Sequence, residues 1–344
     1  MIHQGDALKA PFPWFGGKSR VAPEVWSALG DVDNYVEPFA GSLAVLLMRP
    51  DNHDAKAETV NDRDAFLCNF WRSVTLAPEE TARWADWPVN ETDLFARHLW
   101  LVREGPARLA SLEADPDYFD AKVAGWWVWG INSWIGGGWC AGDGPWTVQD
   151  GAPVAITHSG GVSKRLPHLG SAGQGVNRKL PHLGNRGNDK PGREDSLEDL
   201  TAYFQALRDR LRRVRVCCGD WKRVVTDGAL AFGDSVGVFL DPPYSGEVRD
   251  KDLYRTDDHD VAVEVRDWAI EHGEDKRLRI VLAGYEDEHA AKMPKTWTVK
   301  AYSANRAYGS SGNADSANAT NRHKERLWFS PGCVQPGLLE MMAS

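Results

Sequence analysis

Four consecutive residues, Asp241-Pro242-Pro243-Tyr244, bring together a carboxylate, a stretch of backbone poor in donors and a flat ring. The two prolines fix φ and remove two N–H groups, so the backbone there offers carbonyl acceptors alone. Acceptors beside an aromatic ring suit an amino group carried on a planar base. The cluster follows the apolar run Val236–Leu240 and precedes Ser245-Gly246. That pattern predicts a buried strand whose carboxyl end opens into a loop. Ligands of open α/β sheets lie outside the carboxyl ends of their strands, so this cluster is expected at the mouth of a site.

Three other stretches could serve the same chemistry. Pro13-Trp14-Phe15-Gly16-Gly17-Lys18 sets a Gly-Gly turn between an aromatic ring and a cation, ahead of a helical pattern that stops at Gly30. Glycine lets backbone approach a ligand closely, although a Gly-Gly turn is also a common way to open a helix. Asn34–Glu37 reads as a short strand, Pro38–Gly41 as a turn and Ser42 onward as an apolar helix, the first half of a nucleotide-binding βαβ unit. A second strand, Glu58–Val60, ends in Asn61-Asp62-Arg63-Asp64. An acid at that tip is placed to accept hydrogen bonds from ribose hydroxyls. Asp62 also reads as an N-cap for a helix over 65–73, with Asp64 as the alternative cap.

The elements that must position these residues follow an α/β rhythm with one long interruption. From about 74 to 199 the pattern becomes helical (78–87, 92–103 and 118–134) and then rich in glycine. Six tryptophans fall between Trp126 and Trp146. Most read as the core of a helical subdomain, and Trp139 and Trp146, set among glycines, read as the better partner contacts. Lys164-Arg165-Leu166-Pro167-His168-Leu169-Gly170 recurs as Arg178-Lys179-Leu180-Pro181-His182-Leu183-Gly184. Two copies fall short of a solenoid. They read as a solvated insertion or as a basic loop laid on a phosphate backbone, and the doubled dibasic unit favours the second. The rhythm resumes with a helix from Leu197, a strand at Val214–Cys218, the strand before Asp241, a partly helical acidic region and strands near 279–283, 296–302 and 325–330.

Net charge is −9, which argues mildly against a nucleic-acid partner. Its distribution weakens the objection, because 163–193 holds seven Lys/Arg against one Asp. Five cysteines without metal-ligand spacing fit a reduced protein that needs no metal, and Cys217-Cys218 reads as part of an apolar strand. No stretch approaches a membrane span, and Met1–Pro13 lacks the features of a secretory signal. A cytoplasmic monomer or weak dimer, in a bacterial or phage-infected cell, is expected.

The motifs Trp14-Phe15-Gly16-Gly17-Lys18, Glu37-Pro38-Phe39-Ala40-Gly41, Asn61-Asp62 and Asp241-Pro242-Pro243-Tyr244, in that order, resemble the Dam-like, alpha-group DNA N6-adenine methyltransferases. The last motif alone would also allow cytosine-N4, RNA or protein-glutamine methyltransferases, and a non-catalytic DNA-binding relative is a further reading. The resemblance implies a Rossmann-like α/β catalytic domain over 1–75 and 200–335, an inserted target-recognition region over 76–199 and a tail over 336–344. It implies S-adenosyl-L-methionine as cofactor and double-stranded DNA as partner, with roles in DNA methylation that include restriction–modification. Trp14, Gly17 and Lys18 would contact the cofactor, Glu37, Pro38, Phe39 and Gly41 its methionine part, and Asp62 its ribose. Asp220 is a looser match for its adenine. Asp241, Pro242 and Tyr244 would hold the target base beside it. Trp139, Lys164, Arg165, Arg178, Lys179 and Arg306 are the expected DNA contacts. One position departs from the pattern. The family's usual second glycine, two places after Gly41, is Leu43 here, which is expected to narrow the cofactor approach.

Overall fold

A computed structural model describes residues 8–14, 17–53, 56–115, 117–134, 139–140, 146–149, 152–155, 197–243, 261–302 and 325–334. Its centre is a seven-stranded sheet. The strands are β1 (Asn34–Glu37), β2 (Ala57–Asp62), β5 (Val214–Cys218), β6 (Val236–Leu240), β7 (Leu278–Tyr285), β8 (Thr298–Ala301) and β9 (Glu325–Phe329), in the order β5-β2-β1-β6-β7-β9-β8. The first five run parallel, whereas β9 is antiparallel to both β7 and β8. β1 and β6 are buried throughout, as expected of parallel strands covered on both faces. A two-stranded hairpin of β3 (Trp146–Gln149) and β4 (Ala152–Ala155) lies in the glycine-rich stretch, where no strands were expected.

Alternation along the strands divides the core in two. Tyr35, Phe239, Val281, Ala283, Leu327 and Phe329 pack with Trp26 of α1 (Ala22–Leu29) and with Phe70 and Trp71 of α2 (Ala65–Leu76). Val36, Val238, Leu240, Ile280, Leu282 and Trp328 face α7 (Val261–His272) and Trp297. The inserted helices are α3 (Pro78–Ala85), α4 (Glu91–Leu109) and α5 (Ala121–Ser133). They share the first core: Ala82, Leu101 and Trp127 lie in the same cluster as Phe70, Trp71 and Phe204 of α6 (Leu197–Leu211). α4 runs past its expected end at Arg103 and carries Pro106 near its close.

The helix expected from Ser42 does not form. Only a short 3-10 turn, Leu46–Met48, occupies that stretch. Gly41 and Leu43 both take positive φ, 47° and 57°, which breaks a right-handed helical path. The apolar run Leu43–Leu47 is buried on every side, so it shows no polar face and its hydrophobicity alone imitates a helix.

Candidate active site

The sheet reverses its direction of winding between β1 and β6, the position where open α/β sheets leave a crevice. Glu37 ends β1, Asp241 follows β6, and Asp62 ends the neighbouring β2. Three carboxyls therefore gather at one edge because three parallel strands end there. Lys18 enters from the amino-terminal turn. The Trp14 carbonyl accepts the Gly17 amide at 3.0 Å, and the Lys18 carbonyl accepts the amides of Val21 and Ala22. The turn is thereby joined to α1, with Lys18 at the junction.

The Lys18 ammonium lies 2.8 Å from Asp241 Oδ2. Lys18 is 5 % exposed and Asp241 20 %. Burial acts to lower the Lys18 pKa. The charge of Asp241 opposes this, reinforced by Tyr302, the Asp241 hydrogen bond and Glu325, and the ammonium is held above its ordinary value. Glu37 is buried and accepts the Tyr35 hydroxyl at 2.9 Å. Its burial, strengthened by the charges of Asp241 and Asp62, outweighs that bond and pushes the carboxyl up to about 8. Burial likewise raises Asp62 to about 6, against hydrogen bonds from the amides of Asp64 and Gly41. Carboxyls raised by burial and by each other are short of positive charge, so the site favours a cationic ligand.

The cradle for such a ligand is built around Gly41. Its amide donates to Asp62 Oδ2 at 3.0 Å and its carbonyl accepts the Trp71 indole N–H at 3.2 Å. A Cβ at Gly41 would fall 2.5 Å from Cδ1 of Trp14, so the indole rests where a side chain would otherwise stand. Asn61, whose part the motif did not reveal, donates to the carbonyls of Pro38 and Gly219, each at 3.0 Å, and so ties together the loops after β1 and β5. Asp64, not Asp62, caps α2, accepting the amides of Phe66 and Leu67. The carboxyl of Asp62 remains at the edge, with Oδ1 on the Asp64 amide at 3.0 Å. These features fit the ribose and the charged sulfur of S-adenosylmethionine.

Other expected residues fall as follows. Pro38 is buried, and Phe39 is half-buried 6.1 Å from the Trp221 ring. Pro242 is buried beside Asp241. Asp220 is exposed at the end of β5, where its side chain accepts the Lys222 amide at 2.8 Å as a cap of the turn Trp221–Val224. Leu43 is fully buried in the core, so its side chain does not face the open mouth. Trp139 is half-buried on Gly130, and its indole N–H donates to the Trp127 carbonyl at 3.0 Å. Tyr244, Lys164, Arg165, Arg178, Lys179 and Arg306 lie outside the described residues, as does the basic repeat. No helix among the described residues is long and apolar enough to cross a membrane.

A mostly parallel seven-stranded sheet, with a glycine turn after β1 and acidic strand tips at the winding reversal, is consistent with a Rossmann-like methyltransferase fold. Residues 14–86 match the model of a family described as D12 class N6 adenine-specific DNA methyltransferase. That span holds Trp14, Lys18, Glu37–Gly41 and Asp62. The match ends before β5 and β6 and does not reach Asp241. No curated protein matches the chain.

Proposed function

We propose that the chain transfers a methyl group from S-adenosyl-L-methionine to N6 of an adenine extruded from a specific site in double-stranded DNA. The observation that carries this reading is the Lys18–Asp241 pair at the winding reversal, flanked by Glu37 and Asp62. When bound, the cofactor supplies a methyl on a positively charged sulfur with a neutral leaving group. The work left to the chain is orientation and electrostatics. The lone pair of an adenine amino group is delocalised into the ring, which makes N6 a poor nucleophile. Hydrogen bonds from that group to the Asp241 carboxylate and the Pro242 carbonyl favour a pyramidal nitrogen whose lone pair faces the methyl. Lys18 keeps Asp241 ionised as an acceptor. After transfer the nitrogen sheds a proton, and Asp241 is the base that faces it.

Extruding the base costs a few kcal/mol, and stacking on Tyr244 returns roughly 1–3 kcal/mol. We assign the balance to contacts with opened DNA made by the region 76–199 and by Arg306, with Trp139, Lys164, Arg165, Arg178 and Lys179 as the candidates. The discontinuous catalytic domain, 1–75 and 200–335, would bind the cofactor, with Asp220 near its adenine. A monomer or weak dimer in the cytoplasm, where the DNA lies, completes the proposal. Its free thiols suit that setting.

Incubation of plasmid DNA with labelled cofactor, followed by nucleoside mass spectrometry, tests the reading. N6-methyladenine is expected, and its loss in Asp241→Ala with the fold retained. N4-methylcytosine as the product, methyl transfer to RNA alone, or no transfer at all would overturn it.

A further inference from the structure

Glu325 is the first residue of β9 and is 5 % exposed. A carboxylate at the head of Leu327-Trp328-Phe329, in a strand otherwise largely buried, needs a compensating partner. Register shows where it stands. β9 runs antiparallel to β7, and Glu325 pairs with Tyr285, the last residue of β7. The amino end of β9 therefore lies at the same sheet edge as the carboxyl ends of β6 and β7. Leu240 is level with Leu282, and Ala283 with Leu327. Because side chains alternate, Asp241, Ala283, Leu327 and Glu325 project from one face, which also carries Phe239 and Phe329. Asp241 and Glu325 are thus separated by two strand spacings across the sheet and two residues along it, roughly 12 Å between backbones, a gap that side chains reaching toward each other can narrow, and Lys18 is buried beside Asp241.

We infer that Glu325 is a positioning residue for methyl transfer, acting on the face of Lys18 away from Asp241 so that one ammonium is shared between two carboxylates. The inference rests on the proposed methyl-transfer reading. Lys18 is bonded to Asp241 and lies within the electrostatic reach of Glu325 and Tyr302. The Tyr302 amide donates to the Glu325 carbonyl at 3.1 Å, which joins the end of β8 to the head of β9. Among the described residues, the charged and titratable groups acting on Lys18 include Asp241 after β6, Glu325 from β9 and Tyr302 after β8, with Glu37 of β1 acted on by Asp241. An ammonium held by Asp241 alone would draw that carboxylate into a closed pair. Shared, it keeps Asp241 ionised yet still a strong acceptor for an amino group.

The test compares wild type, Glu325→Gln and Glu325→Asp in single-turnover methyl transfer on duplex DNA across pH. Glu325→Gln removes a negative charge, so both Asp241 and Lys18 should release protons more readily. The acidic and alkaline limbs of the rate profile should both move to lower pH. The transfer rate should fall about tenfold, with KM for cofactor and DNA within twofold of wild type. Glu325→Asp should recover most of the rate with a smaller displacement of the limbs. If Glu325→Gln does not fold, the Glu325→Asp profile decides alone, and limbs at their wild-type positions overturn the inference. A wild-type rate and profile in Glu325→Gln, or a loss confined to KM or to melting temperature, would likewise overturn it. Absence of methyl transfer by wild-type protein would instead sink the reading on which it rests.

Discussion

The Gly41 amide donates to Asp62 Oδ2 at 3.0 Å, so the acid at the tip of β2 also braces the turn after β1. One side chain thereby links the two halves of the cradle, and its proposed ligand role and its structural role can be separated by substitution. Asp62→Asn keeps one carbonyl oxygen for the Gly41 amide but loses the charge and one acceptor. Asp62→Ala loses all of these and leaves two backbone N–H groups without their partner, at about 1–3 kcal/mol for each group kept from water. Cofactor affinity by calorimetry should fall at least tenfold in both variants, whereas thermal melting should fall further in Asp62→Ala than in Asp62→Asn, which leaves only one of the two amides without its acceptor. An unchanged affinity in Asp62→Asn would remove Asp62 from ribose binding.

Glu37 makes a prediction in pH. Its carboxyl is pushed up to about 8 in the folded chain, chiefly by burial, against an ordinary value of 4.5. A raised folded pKa means that the native state holds the proton more tightly. The stability this contributes is complete below about 4.5 and is lost as pH rises through 8. Without cofactor, the wild-type melting temperature should fall between pH 5 and pH 9, and Glu37→Gln should melt higher than wild type at pH 9. A cationic ligand favours the ionised carboxyl, so wild-type affinity for S-adenosylmethionine should climb over this range. Affinity for S-adenosylhomocysteine, which lacks the sulfonium charge, should climb much less. Equal pH slopes for the two ligands would show that Glu37 does not sense that charge.

What could be read in the chain followed from how local its causes were. The runs before Glu37 and Asp241 are short, apolar and closed by turn residues, so strand ends, and with them the acids, were legible. The roles of Asp62 and Asp64 are not separable by spacing, because both precede the first turn of α2; in the structure Asp64 is the cap and Asp62 stays at the edge. The stretch from Ser42 resembles a helix in sequence because burial on all sides erases the polar face by which a helix is normally distinguished from a packed turn. Asn61 and Glu325 gave weak signals for a different reason. Their partners lie far along the chain, at Gly219 for the first and across the β7–β9 pairing for the second, and no local period encodes such contacts.

Leu43 shows how a departure from a family pattern can be absorbed. The backbone keeps the left-handed conformation that glycine would favour, φ 57°, and the side chain is fully buried in the core. Two costs therefore oppose each other. Left-handed φ costs a non-glycine residue on the order of 1 kcal/mol, and deleting a buried leucine costs about 2–5 kcal/mol. Leu43→Gly relieves the first and incurs the second, for a net loss of roughly 1–4 kcal/mol. Leu43→Ala incurs the second without relieving the first. Alanine should therefore be the more destabilising replacement, the reverse of the order in a helix interior. Because the side chain does not line the open mouth of the site, cofactor affinity at a temperature where both variants are folded should stay within about threefold of wild type, a difference of roughly 0.7 kcal/mol. Chemical denaturation of the three proteins and calorimetric titration check the two halves separately. A glycine variant less stable than the alanine variant would show that the left-handed conformation stores no strain, and a large gain in affinity on either substitution would return Leu43 to the wall of the cofactor site.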